Sequence, residues 1–521
     1  MIKDITIRIL PEKASSPSSL KKEVARAAHL SPDRINDLKV VRRSVDARKR
    51  PVYLNLGVRI AFGEDRKVHP LERPVVFDAL PSSAPEVVVV GAGPAGLFAA
   101  LEAIRLGLRP IVIERGRDVD SRRKDIADIS RSKKINPVSN YCFGEGGAGA
   151  FSDGKLFTRS RKRGSVEDVL RLLVQFGASP SILIDSHPHI GSDRLPHIIK
   201  NIREKIIACG GEVRFETTLM SLLVEDGRIV GVMTDRGEIA SNAVILAIGH
   251  SSRDTIRSLF AAGVGMQAKG LAVGVRLEHP QQLIDRIQYH TREGRGKFLP
   301  AAEYNFVTQS DGRGVYSFCM CPGGVIVPAG SAGGELVVNG MSSSARSGQW
   351  ANSGMVVEVR PGDFEEFTQY GPLELLEWQE WLERRMFEKA GCSIIAPAQR
   401  MTDFIGGEKS QTLPKSSYAP GLQSADFNQL LPPEISKRLK EGFMTFDKKA
   451  KGFVSPEGVM IGLESRTSSP VRIVRDEETL QSVNVAGLFP AGEGAGYAGG
   501  IVSAAIDGIR CAKAASEFLK K

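Results

Sequence analysis

The chain has 521 residues, 42% of them hydrophobic and 25% charged, which is typical of a globular protein of two or three domains. No run approaches the roughly 18 apolar residues of a membrane span, and the N-terminus lacks the apolar segment of a signal peptide. Six cysteines in this length do not make a disulfide framework, so we expect a cytoplasmic protein.

The formal net charge of +10 is unevenly distributed along the chain. Residues 1–80 contain seventeen Lys and Arg against ten Asp and Glu, and residues 115–163 contain thirteen against six. Basic surface is typical of proteins that bind nucleic acid, anionic lipid or anionic small molecules, but a solvated basic face without a partner is also common. Charge alone therefore identifies no partner.

Residues 1–80 are predicted to form a separate small α+β module. Their alternating apolar residues predict three strands, at 5–9, 37–42 and 52–62. Ser19 is placed to cap a helix that ends near Ala28, and residues 80–85 have the composition of a linker. The basic stretch 42–50 can hold RNA, but the module lacks the aromatic pairs that stack on bases. Docking or oligomerisation is the preferred role, and nucleic acid is the alternative.

Residues 87–116 read VVVVGAGPAGLFAALEAIRLGLRPIVIERG. Four valines predict a buried parallel strand, and the glycines that follow have the G-x-G-x-x-G spacing at the start of a helix. Gly91 permits the tight turn, Gly93 lets backbone approach a pyrophosphate, and Gly96 lets the helix pack close to the strand. The helix N-terminus attracts phosphate, and Glu114 is placed to accept from the adenosine ribose. The stretch predicts a dinucleotide-binding site.

The glycine-rich segment 136–156 follows, with no helical or strand period. It also carries Tyr141, Phe143 and Phe151, which a flexible linker would rarely contain. Such a loop is typical of backbone that approaches a planar or charged ligand, so ligand contact is preferred over a purely structural role.

Further along, four short runs predict a β-meander, at 213–217, 220–224, 229–234 and 238–240. Residues 243–248 predict another buried strand, which ends at Gly249. Cys319 and Cys321 stand two apart, and on a regular strand their side chains would lie about 7 Å apart, which is long for a disulfide. Buried small side chains are the preferred interpretation of this pair, and a redox pair is the alternative.

These motifs resemble those of a known family. The stretch 87–116 resembles the FAD-binding N-terminal signature of glutathione-reductase-type flavoproteins, and its ending Glu114-Arg115-Gly116 looks like the FAD version rather than the NAD version. Residues 487–512 are similar to the C-terminal flavin-binding motif, with Glu493 where many members have Asp. Residues 243–252 resemble a second dinucleotide-binding motif that usually carries Thr where Ile248 stands.

More closely, four segments together resemble a group of bacterial FAD-dependent dehydrogenases with a small N-terminal domain: NPVSNYCFGEGGAGAFSDGKLFTR, PHIGSDRL, FCMCPGG and ESRTSSPVRI. The resemblance implies an α/β fold with a Rossmann-like FAD-binding domain, an inserted α+β substrate domain and a small N-terminal α+β domain. The implied boundaries are 1–80 for the N-terminal module, 85–265 and 456–521 for the FAD-binding domain, and 266–455 for the substrate or cap domain.

The resemblance further implies that FAD binds non-covalently. Glu493 would accept from the ribityl chain, Leu219 would present backbone to the adenine, and the loop 144–155 would cover the flavin ring. A helix at 501–518 would direct its N-terminus at the pyrimidine edge of the flavin. The expected FAD-binding residues are Gly91, Gly93, Pro94, Ala95, Gly96, Glu114, Arg115, Gly147, Ser152, Leu219, Gly249, Gly492, Glu493, Gly499, Gly500 and Ile501.

Four polar residues in motif-like stretches are the candidates for catalysis near the ring: His189, Lys155, Arg400 and Arg466. No metal site is expected, because the spacing of His187, His189 and His197 matches no metal-binding pattern.

The leading functional hypothesis is an FAD-dependent dehydrogenase or reductase of a small organic molecule. The alternatives are a flavoprotein that binds or modifies RNA and a non-catalytic flavin-bound interaction module. Because no second strand–G-x-G-x-x-G–helix unit follows, NAD(P)H would act only as a transiently docked reductant. Its docking would be favoured by the basic side chains of Arg159, Arg161, Lys162 and Arg163.

Overall fold

A computed structural model of the chain describes residues 1–68, 74–158 and 163–521. The predicted basic cluster lies mostly outside these ranges, because Arg159, Arg161 and Lys162 are not among the described residues. Within the described ranges, no helix is both long enough and apolar enough to cross a membrane.

The N-terminal module is a three-stranded antiparallel sheet with a helix packed on one face. Its elements are β1 (Ile2–Ile9), α1 (Pro11–Ala14), α2 (Pro17–Ala28), β2 (Ile35–Asp46) and β3 (Tyr53–Phe62). The strand order is β1-β3-β2. The predicted cap is wrong by three residues: Ser16, not Ser19, caps α2, and its side chain accepts from the Ser19 N–H at 3.4 Å. Pro17 fixes the helix start at N1, which leaves Ser16 as the N-cap.

The segment after this sheet belongs structurally to the next domain. The Val75 N–H donates to Gln175 Oε1 at 2.9 Å, and the Phe77 ring packs against Phe176 with centroids 6.1 Å apart. The Leu80 N–H donates to the Cys209 carbonyl at 2.9 Å. The sheet of the module therefore ends at Phe62, well before the predicted boundary at residue 80.

The next region of the chain contains a parallel sheet, helices and a separate three-stranded sheet. Its first elements are β4 (Glu86–Val90), α3 (Pro94–Arg105), β5 (Arg109–Ile113), α4 (Val119–Ser132), α5 (Val166–Gln175), α6 (Leu195–Ala208), β6 (Glu212–Arg214), β7 (Leu219–Glu225), β8 (Arg228–Thr234), β9 (Gly237–Ala240), β10 (Val244–Leu246) and α7 (Arg253–Ala261). Strands β7, β8 and β9 form the predicted meander. The run at 213–217 was wrongly predicted to join it, because β6 follows α6 and pairs in parallel with β5. A helix is the usual connection between parallel strands.

A second domain, whose strands pair mostly antiparallel, follows α7 and precedes the last two elements of the chain. We call it the antiparallel domain. Its elements are β11 (Met266–Ala268), β12 (Leu271–Pro280), α8 (Gln281–Tyr289), β13 (Val307–Ser310), β14 (Arg313–Pro328), β15 (Val338–Met341), β16 (Trp350–Val359), α9 (Glu374–Lys389), β17 (Ala396–Arg400), α10 (Met401–Gly406), β18 (Leu422–Ser424), α11 (Phe427–Leu430), α12 (Pro433–Lys449), β19 (Val459–Glu464) and β20 (Val471–Ile473). Eight strands form one sheet in the order β13-β14-β16-β12-β19-β17-β18, with β15 paired to β14. Because β19 lies in this sheet, the domain continues past the predicted limit at residue 455.

The chain then returns to the parallel sheet with β21 (Leu488–Pro490) and α13 (Ile501–Leu519). The completed sheet has the order β21-β10-β4-β5-β6 and is parallel throughout. Helix α13 packs directly on α3, where a Cβ at Gly508 would lie 2.0 Å from the Ala95 carbonyl oxygen. This contact brings the N-termini of both helices to the carboxyl edge of the sheet. Ligands bind at this edge in open α/β sheets.

Candidate functional site

A cavity of about 360 Å³ lies at the carboxyl ends of the parallel strands, where Val90, Ile113 and Ala247 line it. Residues of the antiparallel domain line it as well, among them Phe318 and Asn339. Fourteen of the sixteen expected FAD-binding residues line this cavity: Gly91, Gly93, Pro94, Ala95, Glu114, Arg115, Gly147, Ser152, Leu219, Gly249, Glu493, Gly499, Gly500 and Ile501. The other two, Gly96 and Gly492, lie directly behind its wall.

The three glycines of the first turn meet different surroundings. A Cβ at Gly91 would lie 2.4 Å from the Ala247 carbonyl oxygen, and a Cβ at Gly96 would lie 1.8 Å from the Gly91 carbonyl oxygen. At Gly93 the nearest atom would be Gly147 Cα at 3.9 Å. Gly91 and Gly96 are therefore required by the fold, whereas Gly93 leaves open space on the cavity side.

Two helix N-termini face the cavity. Helices α3 and α13 begin after Gly93 and Gly500, and neither N-cap has a side chain that accepts from the first turn. The first N–H groups of a helix lack intrahelical partners and attract anions. We call these two helix ends, with Gly93, Gly499 and Gly500, the glycine wall.

The Glu114 carboxylate organises backbone at one end of the cavity. It accepts from the N–H groups of Ala92 at 2.9 Å, Gly116 at 3.0 Å and Gly144 at 3.0 Å. It thereby joins the first glycine turn to the glycine-rich loop. The neighbouring Arg115 pairs with Asp254 at 3.0 Å, which directs its side chain along the rim.

Glu493 lies at the other glycine turn, which is held from behind by Asp507. The Asp507 carboxylate accepts from the Gly492 N–H at 2.8 Å and pairs with Arg475 at 2.6 Å. Burial raises the pKa of Glu493 to about 7, although Lys269 opposes the shift. His250 Nδ1 lies 4.0 Å from Glu493 Oε1, and burial, together with Arg466 and Arg253, lowers the pKa of His250 to about 4.

Lys155 projects from the glycine-rich loop on the opposite side of the cavity. Its ammonium lies 3.1 Å from Asp153 Oδ2 and 4.0 Å from the sulfur of Cys319, which also lines the cavity. Burial lowers the pKa of Lys155, but Cys319, Cys321 and Asp153 together raise it above its ordinary value. Lys155 is therefore a permanent cation at neutral pH.

Arg466 lines the cavity from a buried cluster of ions. Its guanidinium contacts Glu335 at 2.6 Å and Glu383 at 2.8 Å, and Arg253 pairs with the same two carboxylates. Against the effect of burial, the two arginines lower the pKa of Glu383 to about 2. The cluster fixes Arg466 in place. We call Lys155, Cys319 and Arg466 the side-chain wall.

Two predicted catalytic residues lie outside the cavity lining. His189 forms an isolated β-bridge with Lys155, and its Nε2 lies 3.2 Å from the Ser344 carbonyl, so it stands behind the side-chain wall. Arg400 ends β17, and its guanidinium contacts the carbonyls of Pro456 and Thr412. These backbone contacts hold Arg400 away from the cavity, and the prediction of a role for it near the ring is not supported.

Several lining residues were not predicted as site residues: Cys142, Phe318, Cys319, Asn339 and His250. His250 carries a signal in the sequence, because it follows a buried strand at the edge where ligands bind. The others come from loops and from the antiparallel domain. The spacing of Cys319 and Cys321 offers a redox pair as an alternative, but no local pattern places these residues at a cavity. Among the described residues, no group of three or more His, Cys, Asp or Glu side chains is arranged to hold a metal ion.

The chemistry of the glycine wall fits a dinucleotide. Uncapped helix ends match the charge of a pyrophosphate, and the open space at Gly93 lets its oxygens reach backbone N–H groups. The fold and the cavity thus define a nucleotide-binding protein of the Rossmann-like class.

Comparison with known proteins identifies the cofactor and the family. Residues 86–124 match the family described as FAD binding domain, and residues 270–467 match the family described as FAD-dependent protein, C-terminal domain-like. Residues 1–61 match a domain of unknown function. A protein of Clostridium beijerinckii, described as an uncharacterized protein, is 42% identical over 513 residues, which cover 95% of each chain. The chain belongs to the same family, a family of FAD-dependent flavoproteins.

The solved structures to which the chain is similar share little sequence identity with it. One is CtdE in complex with FAD, at 12% identity, 84% coverage of each chain and a TM-score of 0.31. Another is an Escherichia coli quinol fumarate reductase, at 14% identity, covering 84% of this chain and 70% of that chain with a TM-score of 0.35. Similarity this low indicates nothing about substrate. The predicted α/β fold class and the FAD cofactor are confirmed.

Proposed function

We propose that this flavoprotein passes a hydride between a small organic substrate and N5 of its FAD. One observation carries the proposal: a single cavity combines a wall of bare backbone, which suits phosphates, with a wall of cationic and thiol side chains. When bound, FAD supplies two-electron chemistry at its ring, and the protein has to bind, orient and exclude water.

In this proposal the glycine wall holds FAD non-covalently. The N-terminus of α3 and the backbone at Gly93 bind the pyrophosphate, while Glu114 keeps the glycine-rich loop closed against it and accepts from the adenosine ribose. Glu493 would hydrogen-bond the ribityl chain. Because its pKa is about 7, the Glu493 carboxyl can act as donor or acceptor near neutral pH. The N-terminus of α13 stabilises negative charge on the pyrimidine edge.

We assign the side-chain wall to the substrate. Lys155, held 3.1 Å from Asp153, stays protonated and attracts an anionic or carbonyl group of the substrate. Arg466 adds positive charge but is fixed by Glu335 and Glu383, so its role is electrostatic rather than mobile. His189 acts as a positioning residue through its β-bridge to Lys155, and we propose no role for Arg400.

No specific observation favours the RNA alternative. In the basic stretch of the N-terminal module, Arg43 pairs with Asp185 at 2.7 Å and Arg48 pairs with Asp46 at 2.8 Å, which leaves fewer cations for phosphate.

All six cysteines, each of which the structure describes, are free thiols, and this supports the proposed cytoplasmic location.

Anaerobic flavin spectroscopy of the purified full chain tests the proposal. We expect non-covalent FAD that is reduced by a small metabolite with saturation, and slowly by NAD(P)H with a rate that falls as salt rises. The matched pair Lys155→Met and Lys437→Met separates site from surface, because Lys437 is exposed and pairs only with Asp311. Equal reduction rates in both variants, or rapid salt-independent reduction by micromolar NADH, would contradict the proposal.

A further inference from the structure

Strand β14 is irregular at Cys319, on the wall of the cavity. Phe318 pairs with Gly354 and Cys321 pairs with Asn352, so two residues of β14 stand opposite one residue of β16. Cys319 also has a φ of 47°, in the left-handed region that residues with a Cβ seldom adopt. Such a bulge redirects side chains, and the regular spacing that would separate the two sulfurs by about 7 Å does not hold here.

Both sulfurs converge on one cation. Lys155 Nζ lies 4.0 Å from Cys319 Sγ and 3.9 Å from Cys321 Sγ, and the Cys321 thiol donates to the Cys319 carbonyl oxygen at 3.3 Å. Arg276 Nη2 lies 3.3 Å from Cys321 Sγ and donates to the Cys319 carbonyl at 2.8 Å. Cys319 is partly exposed to the cavity, whereas Cys321 is fully buried behind it.

The charges around the pair make the two thiols unequal. The neighbouring Cys321 side chain, assisted by Lys155 and Arg276 and opposed by burial, lowers the pKa of Cys319 to about 5. The Cys319 side chain and burial raise the pKa of Cys321 well above its ordinary value. At neutral pH, Cys319 is therefore the nucleophilic thiolate and Cys321 stays protonated.

We propose that Cys319 and Cys321 form a dithiol–disulfide couple that reduces small organic disulfides entering the cavity. The Cys319 thiolate attacks one sulfur of the disulfide; the substrate S–S bond breaks, a mixed disulfide forms on Cys319, and one thiolate leaves. Cys321 gives its proton to that thiolate and attacks the Cys319 sulfur, which expels the second thiolate. The pair loses two electrons, and one disulfide becomes one thiol and one thiolate, which takes up a proton from water.

This couple extends the proposed function by a second redox group and a substrate class. One round of this exchange needs only the two cysteines and Lys155, so it can be measured by mass. Flavin content, measured on the same samples, tests the proposed function separately.

The experiment uses the full chain carrying Cys392→Ser, which removes the exposed thiol. The native protein is treated with hydroxyethyl disulfide, a small uncharged disulfide, and analysed by intact mass and peptide mapping. We expect a loss of two hydrogen atoms and a Cys319–Cys321 disulfide, without a retained adduct. Cys321→Ser should trap one hydroxyethylthio adduct on Cys319, and Cys319→Ser should leave Cys321 unmodified.

Three results would overturn the proposal: a stable adduct on Cys319 while Cys321 stays free, a disulfide from Cys319 to Cys142, or no reaction at either cysteine. The measurement on the Cys392→Ser chain decides even if a further serine variant, at Cys319 or Cys321, fails to fold. As a second readout, the pH midpoint of Cys319 alkylation should rise by about one unit or more in Lys155→Met and return in Lys155→Arg. An unchanged midpoint in Lys155→Met would contradict the assigned role of Lys155.

Discussion

The glycine wall and the side-chain wall line one cavity but are built by different means. The glycine wall comes from two turns at helix starts, and its function lies in backbone N–H groups and in the absence of a Cβ at Gly93. The side-chain wall comes from a loop, a bulged strand and a buried ion cluster, and its function lies in charge. Steric substitutions should therefore impair the glycine wall, and changes of charge or protonation should impair the side-chain wall.

The largest expected effect is on the fold behind the glycine wall. In Gly96→Ala, the new Cβ would lie 1.8 Å from the Gly91 carbonyl oxygen, so α3 has to move away from β4. We expect a loss of about 3 kcal/mol or more in the free energy of unfolding, measured by urea denaturation. Gly406→Ala is the matched control, because this exposed helical glycine has no atom within 4 Å of its Cβ position. Equal stability of the two variants would contradict the steric argument.

The next largest effect separates cofactor binding from folding. Gly93→Val puts a branched side chain into the cavity, where its Cβ would have only Gly147 Cα nearby, at 3.9 Å. We expect FAD content after purification to fall by about tenfold or more, while the circular dichroism spectrum of the protein is retained. Absorbance of acid-released flavin measures the first and far-ultraviolet spectra the second. Full FAD occupancy in this variant would refute the assignment of Gly93.

A smaller effect concerns Glu493, where the glycine wall carries a titrating group. The folded-state pKa of about 7 exceeds the ordinary 4.5. Burial of this carboxyl therefore costs no stability below pH 4.5, the free energy of unfolding falls as the pH rises from 4.5 to about 7, and the loss is complete above that. In cofactor-free protein, Glu493→Gln should be more stable than wild type at pH 8, by at most about 3 kcal/mol, and nearly equal at pH 4.5. Urea denaturation at both values measures this.

The exposed Glu477→Gln is the control for that comparison, and it should show the same pH dependence as the wild-type protein. If Glu493→Gln is no more stable than the wild-type protein at pH 8, burial does not disfavour the charged Glu493 carboxylate. The contrast drawn between the glycine wall and the side-chain wall would then be weaker.

The smallest effect is expected from removal of the N-terminal module. The module touches the rest of the protein through Arg43, which pairs with Asp185 at 2.7 Å, and through His290, whose Nε2 lies 3.0 Å from the Ala47 carbonyl. Val52 of the module is also buried in the core of the antiparallel domain, and none of these residues lines the cavity. Deletion of residues 1–62 should lower the Tm by a few degrees and leave FAD content unchanged. Arg43→Ala in the full chain is the milder control. Loss of FAD from the deletion variant would connect the module to the cavity.

The sequence was sufficient to locate each of the two glycine turns of the glycine wall because the information for each turn is local. The apolar run, the glycine spacing and Glu114 lie within thirty residues, as 87–116. Even there, Asp507 escaped prediction, because its hydrogen bond to the Gly492 N–H joins a helix to a turn fifteen positions earlier. A carboxylate inside a helical pattern gives no sign of such a partner.

The side-chain wall could not be derived in the same way. The bulge at Cys319 depends on pairing between β14 and β16, and the Lys155 contact joins residues 164 positions apart. Alternation along a strand predicted a separation of the two sulfurs that the bulge removes. Arg400 and Arg466 looked equivalent as sequence, but only the second has a carboxylate cluster that holds it at the cavity. Cationic residues acquire their roles from partners that local patterns do not contain.

The return of the chain to the parallel sheet has a consequence for biosynthesis. Gly93 leaves the ribosome long before Gly499 and α13, which complete the same wall. At about 5–20 residues per second, the delay is on the order of 20 to 80 seconds. During this time α3 lacks its packing partner and β10 lacks β21, so a nascent chain exposes an apolar surface and cannot yet retain its cofactor. If the glycine wall holds FAD as proposed, we expect flavin to load after translation and a chain truncated shortly before its end to remain an aggregation-prone apoprotein.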